Sequence, residues 1–170
     1  MIVTVTPNPS IDRTVTLPAP LTRGAVHRVT TTVDQPGGKG VNISRACLAA
    51  GVPTLAVLPG AHDDPFLHEL DRLGVPRLAV PTDNPVRVNL TITEPDGTTT
   101  KLNAAGAHAT AADLEALAAA VLGQQGEGWV VLAGSLPPGA PKESFGDLAA
   151  RLRRTGRWQV AVDTSDAALD

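Results

Sequence analysis

Runs of apolar and β-branched residues recur along the chain at intervals typical of an α/β protein. The run at 54–58 is continuously apolar, as expected for a strand that is buried on both faces of a parallel sheet. The β-branched run at 2–6 also favours a strand. The predicted core strands are 2–6, 54–58, 77–80, 129–133 and 158–162.

Segments with a helical period separate these strands. Apolar residues recur at helical spacing from Phe66 to Leu73, and Gly74 ends that segment. Thr110 is a candidate N-cap for an Ala- and Leu-rich segment. The alternation of strands and helices predicts a doubly wound, mainly parallel α/β sheet with helices on both faces. The predicted helices are 41–50, 63–73, 113–122 and 142–155.

Two β-rich insertions interrupt this alternation. Val and Thr residues in 13–17 and 26–33 predict one antiparallel pair of strands. A Glu-Pro-Asp-Gly turn lies between 87–93 and 98–102 and predicts a second pair. We expect both pairs to form one small sheet, a β lid over the edge of the core. The predicted core is then 1–9, 36–83 and 104–170, and the predicted lid is 10–35 and 84–103.

Composition narrows the class of protein. Of the 170 residues, 42% are hydrophobic, which is enough for one packed core, and only 2% are aromatic, so that core must be mostly aliphatic. A net charge of −3 argues against a nucleic-acid partner, which would need a basic surface. The single cysteine, Cys47, cannot form an intramolecular disulfide and is expected in the core. No signal peptide and no apolar run of about 20 residues is seen, so we expect a cytoplasmic protein without a membrane partner.

A glycine-rich stretch is the most distinctive local feature. Gly37, Gly38, Lys39 and Gly40 come directly before a predicted helix. Glycine lets a bound group approach the backbone closely, and a helix N-terminus favours an anion. A turn that merely starts a helix would have the same composition, and short glycine motifs match by chance. Taken alone, the stretch leaves both interpretations open.

Three ordered motifs carry more information than the glycine stretch by itself. They are TPNPSID at 6–12, GGKGVNIS at 37–44 and GSLPPG at 134–139. Together they resemble the PfkB carbohydrate kinase family, whose fold is ribokinase-like, and the likeness runs the length of the chain. The resemblance implies transfer of the ATP γ-phosphoryl group to a hydroxyl of a hexose phosphate, with Mg²⁺ as the metal ion. The scarcity of aromatic residues argues against a nucleoside as the substrate.

The resemblance also implies a set of substrate-binding residues. Asp12 would accept hydrogen bonds from sugar hydroxyls, and Asn42 would both donate to them and accept from them. Arg28, Lys39 and Arg87 would contact a phosphate already present on the substrate. The implied set is Asp12, Arg28, Gly37, Gly38, Lys39, Gly40, Asn42, Arg87 and Ser135.

Within this set the three glycines would let the sugar lie against the backbone, and Ser135 would lie near the phosphate. For Arg28 and Arg87 a solvated surface position stays equally open, and Asp12 could be a turn carboxylate. Asn103 lies in a run that departs from the family pattern, so we expect a plain strand residue there.

The family's remaining motifs are not found in the sequence. The resemblance implies that the chain is C-terminally truncated, with the Asn-x-x-Glu motif and the Gly-Ala-Gly-Asp loop beyond Asp170. The family's general-base aspartate belongs to that loop, so we expect neither a catalytic residue nor a metal ligand in this chain. The main binding motifs for ATP and Mg²⁺ would also lie outside it.

Two functional hypotheses remain open on the sequence alone. The first is the sugar-phosphate half of an ATP-dependent kinase, with fructose 1-phosphate as the preferred substrate and tagatose 6-phosphate not distinguished from it. The second is a non-catalytic truncated fragment or a sugar-phosphate-binding remnant. We expect no turnover by this chain alone, and low stability because a sheet edge is exposed. The resemblance also suggests a homodimer through the lid.

Overall fold

The computed structural model describes residues 1–164, in which nine strands and four helices follow the predicted order. The bounds are β1 (Ile2–Val5), β2 (Ser10–Thr16), β3 (Thr31–Gly37), α1 (Lys39–Ala49), β4 (Thr54–Gly60), α2 (Pro65–Arg72), β5 (Arg77–Pro81), β6 (Arg87–Thr93), β7 (Thr99–Leu102), α3 (Ala111–Leu122), β8 (Gly128–Ala133), α4 (Ser144–Arg154) and β9 (Trp158–Asp163). The last residues of the predicted core, 165–170, lie outside the described part of the chain.

The core is a five-stranded parallel sheet in the order β5-β4-β1-β8-β9. The chain starts at the central strand, builds outward through β4 and β5, and then returns to add β8 and β9 on the other side. This reversal of direction at β1 is the arrangement of a doubly wound sheet, and it creates a crevice beside the carboxyl end of β1. The predicted fold class is confirmed.

Helices cover both faces of this sheet because its strands are apolar on both sides. On β4, Val57 belongs to a cluster that includes α3 and α4, whereas the adjacent Ala56 and Leu58 pack with α1 and α2. Side chains on a strand point alternately to opposite faces, so one strand serves both clusters. The continuous apolar run at 54–58 follows from this double burial.

The predicted lid is one four-stranded sheet in the order β3-β2-β6-β7. The β2–β3 and β6–β7 pairs are antiparallel, and β2 runs parallel to β6. The predicted bounds of the first strand pair were wrong. Strand β2 begins at Ser10 instead of residue 13, and β3 occupies 31–37 instead of 26–33. Ser10 pairs with both Gly37 and Arg87, so strand pairing continues down to the core. Asp12 is therefore a strand residue and does not lie in a turn.

The lid has two chemically different faces. Its register places Ile11 beside Val88 and Val15 beside Ile92, and these residues share one side with Leu90 and Leu102. We call this side the apolar face of the lid. The alternate positions, which include Asp12 and Arg87, form the polar face. We define the lid root as residues 10–12 and 87–89, where the lid joins the core.

Helix α1 is less buried than its sequence suggests. Only Gly40, Val41 and Ser44 are buried, whereas Leu48 is 40% exposed and Cys47 is half-buried. The contact with the sheet is close and polar, because the Ser44 hydroxyl forms hydrogen bonds with the hydroxyls of Thr4 (2.8 Å) and Thr54 (2.9 Å). The apolar positions after residue 45 consequently face away from the core, and the expectation that Cys47 is a core residue was wrong.

The other helix ends follow local chemistry. Thr110 caps α3 as predicted, since its hydroxyl oxygen accepts a hydrogen bond from the Asp113 amide and the Asp113 carboxylate accepts one from the Thr110 amide. The buried Asp64 caps α2 by accepting from the Phe66 amide at 2.8 Å. No helix within residues 1–164 is long and apolar enough to cross a membrane.

Candidate functional site

A cleft of about 760 Å³ lies at the crevice beside β1, below the polar face of the lid. The loops after β1 and β8, the lid root and the start of α1 form its walls. In open α/β sheets ligands bind at this edge, where the strand order reverses. The polar side chains that line it are Asn8, Ser10, Asp12, Lys39, Asn42, Arg87, Asn89, Asn103, Ser135 and Lys142.

Asp12 is held in a fixed orientation at the lid root. Its Oδ1 accepts hydrogen bonds from the Ser10 hydroxyl at 2.8 Å and from the Asn89 side-chain amide at 3.0 Å. Ser10 is buried, and the Asn89 Oδ1 atom is buried without a hydrogen-bond partner within the described residues. A buried acceptor without a donor is costly. The pair of Asp12 and Asn89 therefore offers acceptor atoms suited to sugar hydroxyls.

Gly37 and Gly40 of the glycine stretch pack closely against neighbouring residues of the site. A Cβ atom at position 37 would overlap the Asp12 carboxylate, with Oδ1 only 2.7 Å away. A Cβ at position 40 would overlap the Thr6 hydroxyl and lie 3.2 Å from the carbonyl oxygen of Val5. Gly38, with φ of 108°, lines the cleft, whereas Gly37 and Gly40 do not belong to its lining. Their role in sugar contact stays a prediction.

This packing predicts the effect of a single methyl group on the site. The φ of Gly37 lies outside the left-handed region, so alanine is compatible with the backbone, but its Cβ would displace the Asp12 carboxylate. We expect Gly37→Ala to weaken hexose-phosphate binding about tenfold, because at least one hydrogen bond to a charged group is lost. Isothermal titration calorimetry measures the effect.

The matched control for Gly37→Ala is Gly146→Ala in α4. A Cβ at position 146 would meet no atom within 4 Å, and helical Gly→Ala replacement is favourable by roughly 0.5–1 kcal/mol. We expect this control to bind like the wild type and to unfold at slightly higher denaturant concentration. Equal binding by Gly37→Ala and Gly146→Ala would show that the Asp12 position does not matter for the ligand.

Arg87 is the partly buried cation of the cleft. Its guanidinium donates to the carbonyl oxygens of Ala104 at 2.6 Å and Asn8 at 3.3 Å, and more weakly to the Ser135 hydroxyl at 3.4 Å. Its Nε is buried without a hydrogen-bond partner, and within residues 1–164 it forms no ion pair. Burial lowers the pKa of Arg87, while the negative charge of Asp12 partly offsets this effect. A guanidinium in this state is suited to an incoming anion.

Asn8 ties together three segments around Arg87. Its side-chain amide donates to the carbonyl oxygen of Ala105 at 2.9 Å and to the Ser135 hydroxyl at 3.3 Å, while its own carbonyl accepts from Arg87. Asn8 itself is buried. The sequence motif contained Asn8, but only its burial and partners show that it joins the loops after β1, β7 and β8.

Lys39 lines the cleft but has a partner in the structure. Its Nζ lies 2.7 Å from Oδ1 of Asp163, at the end of β9. Both side chains are about half exposed, so the pair contributes little to stability. The pair joins the start of α1 to an edge strand of the core. The expected contact of Lys39 with a substrate phosphate stays a prediction.

The remaining implied residues divide into two groups. Asn42 and Ser135 line the cleft, and Asn42 is exposed. Arg28 is exposed in the segment between β2 and β3 and does not belong to the cleft lining. Asn103, expected to be a plain strand residue, lies just beyond β7 and lines the cleft.

A second, smaller cavity of about 70 Å³ lies behind Asn8 and Arg87, beneath the segments that connect the lid to the core. Prolines and aliphatic side chains make up most of its walls. Ligand pockets usually have volumes of roughly 300–1,000 Å³, so the larger cleft is the better candidate. Within residues 1–164, no group of three or more His, Cys, Asp or Glu side chains is placed to hold a metal ion.

Comparison with known proteins agrees with this geometry. The chain is 39% identical over 166 residues to 1-phosphofructokinase of Haloferax volcanii, covering 96% of the chain and 52% of that relative. It is 38% identical over 173 residues to 1-phosphofructokinase of Rhodobacter capsulatus, covering 99% and 54% respectively. The structure superposes with a TM-score of 0.91 and 27% identity on phosphofructokinase-2 of Escherichia coli in complex with fructose-6-phosphate, covering 99% of the chain and 56% of that structure. No protein-family model matches the chain.

These similarities define the fold of the chain as ribokinase-like, the fold of the phosphofructokinases that it resembles. The PfkB family fits the chain in both sequence and structure, which confirms the resemblance carried by the three motifs. Within that family, the curated relatives that it matches are 1-phosphofructokinases. The chain spans about half the length of these relatives.

Proposed function

We propose that the chain provides the sugar-phosphate half of a kinase site that phosphorylates a hexose phosphate, with fructose 1-phosphate as the preferred substrate. ATP would supply the γ-phosphoryl group, with Mg²⁺ neutralising its phosphates. The described residues bind and orient the acceptor sugar in this proposal. No residue of 1–164 is assigned to the metal ion.

The observation that carries the proposal is that Asp12 and Arg87 line the same cleft. Asp12 accepts hydrogen bonds at the lid root, and Arg87 offers a partly buried guanidinium without a carboxylate partner among the described residues. A sugar phosphate needs both kinds of group, because its hydroxyls donate and its phosphate accepts. Support also comes from the relatives named 1-phosphofructokinase and from the similar structure that binds fructose-6-phosphate.

Calorimetric titration of the chain tests the proposal. Fructose 1-phosphate, fructose 6-phosphate, tagatose 6-phosphate and unphosphorylated fructose are compared under one buffer condition. We expect the phosphorylated sugars to bind and fructose 1-phosphate to bind most tightly. Fructose binding as tightly as any of its phosphates would contradict the proposal. A coupled assay of ADP release with ATP and Mg²⁺ then separates a binding-only chain from an active one.

We further propose that two copies of the chain associate through the apolar face of the lid. Val88 and Leu102 on this face are 39% and 55% exposed, and the main helix contacts with the lid, from α1 and α2, are with β3. An exposed apolar patch of this kind favours association. The Arg13–Asp34 ion pair lies on the same face, toward the β3 edge of the lid, and would add polar specificity there.

A charge on the apolar face should prevent this association. We expect Ile92→Asp to give the mass of a monomer in light scattering, because an unpaired carboxylate would be buried in the interface. The control is Thr91→Asp, which places the same charge one residue away on the polar face. A monomeric wild type, or a dimer of Ile92→Asp, would contradict the proposed interface.

A further inference from the structure

The cations of the cleft differ in whether they already have a partner. Lys39 is engaged by Asp163 at 2.7 Å, and Arg28 lies outside the cleft lining. Arg87 is partly buried and has no ion pair within residues 1–164. Of these three cations, Arg87 alone both lines the cleft and forms no ion pair within the described residues.

A second available cation is Lys142. It lines the same cleft as Arg87, in the segment between Gly139 and the start of α4, and its side chain is exposed. Within residues 1–164 it forms no ion pair, and its neighbour Glu143 does not belong to the cleft lining. An ammonium without a counterion beside a concave site raises the local concentration of anions.

The segment before Lys142 holds this residue beside the cleft. The segment from Gly134 to Ala140 forms one wall, and its position is fixed by the hydrogen bond from the Ala109 amide to the Pro138 carbonyl at 2.8 Å. A Cβ on Gly139 would overlap the ring of His108, so this segment packs closely on the chain that returns from the lid. Lys142 extends from the end of this fixed wall.

We propose that Lys142, together with Arg87, contacts the phosphate of the hexose phosphate and so sets the preference for phosphorylated over unphosphorylated sugars. This inference rests on the proposed function. Arg87 supplies directional hydrogen bonds, whereas Lys142 supplies a mobile point charge. Lys39 instead ties α1 to β9 through Asp163.

The test compares two exposed lysines, of which one lines the cleft and the other does not. Lys142→Gln removes the cleft cation, and Lys101→Gln removes an exposed lysine of β7 that does not line the cleft. Calorimetry with fructose 1-phosphate at low ionic strength should show binding about tenfold weaker for Lys142→Gln and within about twofold of wild type for Lys101→Gln. Lys142→Arg should retain most of the affinity. At about 1 M salt, where the Debye length is about 3 Å, the difference between the two Gln variants should shrink.

Two further ligands separate the possible failures. Equal affinity of Lys142→Gln and Lys101→Gln for fructose 1-phosphate would overturn the role of Lys142 while leaving the proposed function intact. Failure of the wild type to prefer fructose 1-phosphate over fructose would overturn the proposed function. In that case inorganic phosphate is the probe, and equal binding of it by wild type and Lys142→Gln would overturn the role of Lys142 as well.

Discussion

Replacing Arg87 with glutamine is expected to weaken fructose 1-phosphate binding roughly 100-fold. The side chain is partly buried, has a buried Nε without a hydrogen-bond partner and faces no carboxylate partner among the described residues. Each hydrogen bond between charged groups contributes about 1.5–3 kcal/mol, so the loss of one or two from a phosphate accounts for this factor. Calorimetric titration gives the affinity directly, and binding of unphosphorylated fructose should change little.

Two further variants and one stability measurement make the Arg87 result interpretable. Arg87→Lys keeps the charge but loses the planar fork, so its affinity should fall between those of wild type and Arg87→Gln. Arg153→Gln removes an exposed arginine of α4 that does not line the cleft, and this variant should bind like wild type. Urea unfolding of Arg87→Gln checks that the contacts to Asn8 and Ala104 have not been lost with the fold. Wild-type affinity in Arg87→Gln would remove the main support for a phosphate site.

Replacing Phe66 with alanine is expected to cost about 3–5 kcal/mol of the free energy of unfolding. Phe66 is 1% exposed on α2 and packs with Leu70 and Val75. Ile11 and Val86, at the lid root and just before β6, pack against the same cluster. Because domains have total stabilities of about 5–15 kcal/mol, this loss is a large share. The midpoint of urea unfolding should fall with little change in its slope.

The same variant should also weaken the ligand site. Ile11 adjoins Asp12 and Val86 adjoins Arg87, so a cavity beneath them loosens the lid root. The control is Val26→Ala, since Val26 is 89% exposed and its truncation should change stability by less than about 0.5 kcal/mol. A cost below about 1 kcal/mol for Phe66→Ala would mean that the cluster does not support the lid.

The core of the fold could be predicted because burial constrains its residues strongly. The run at 54–58 has to be apolar on both faces, and Thr110 with Asp113 marks the start of α3 locally. The strands of the lid were harder to predict from the sequence, because strands with one solvated face tolerate polar residues. Asp12 therefore looked like a turn residue although it pairs with Gln35 and Asn89 in the strand.

The sequence predicted residues of the candidate site mainly where they belong to one of the three motifs. The motifs identified Asp12, Asn42 and Ser135, all of which line the cleft. The contact between Lys39 and Asp163 joins residues 124 positions apart, and no local pattern reports a pairing at that separation. Lys142 follows a motif without belonging to it, so only its place on the cleft wall distinguishes it from any other surface lysine.

The parallel pairing of β2 with β6 bears on the order in which the molecule folds. It brings Asp12 and Asn89 together across 77 positions, with the strands and helices from β3 to β5 in between. Closing so long a loop has an entropic cost that only the prior assembly of the intervening elements can reduce. We expect β1, β4 and β5 to associate first and the lid root to form late. A nascent or partly folded chain would then have a core before it has a place for its ligand.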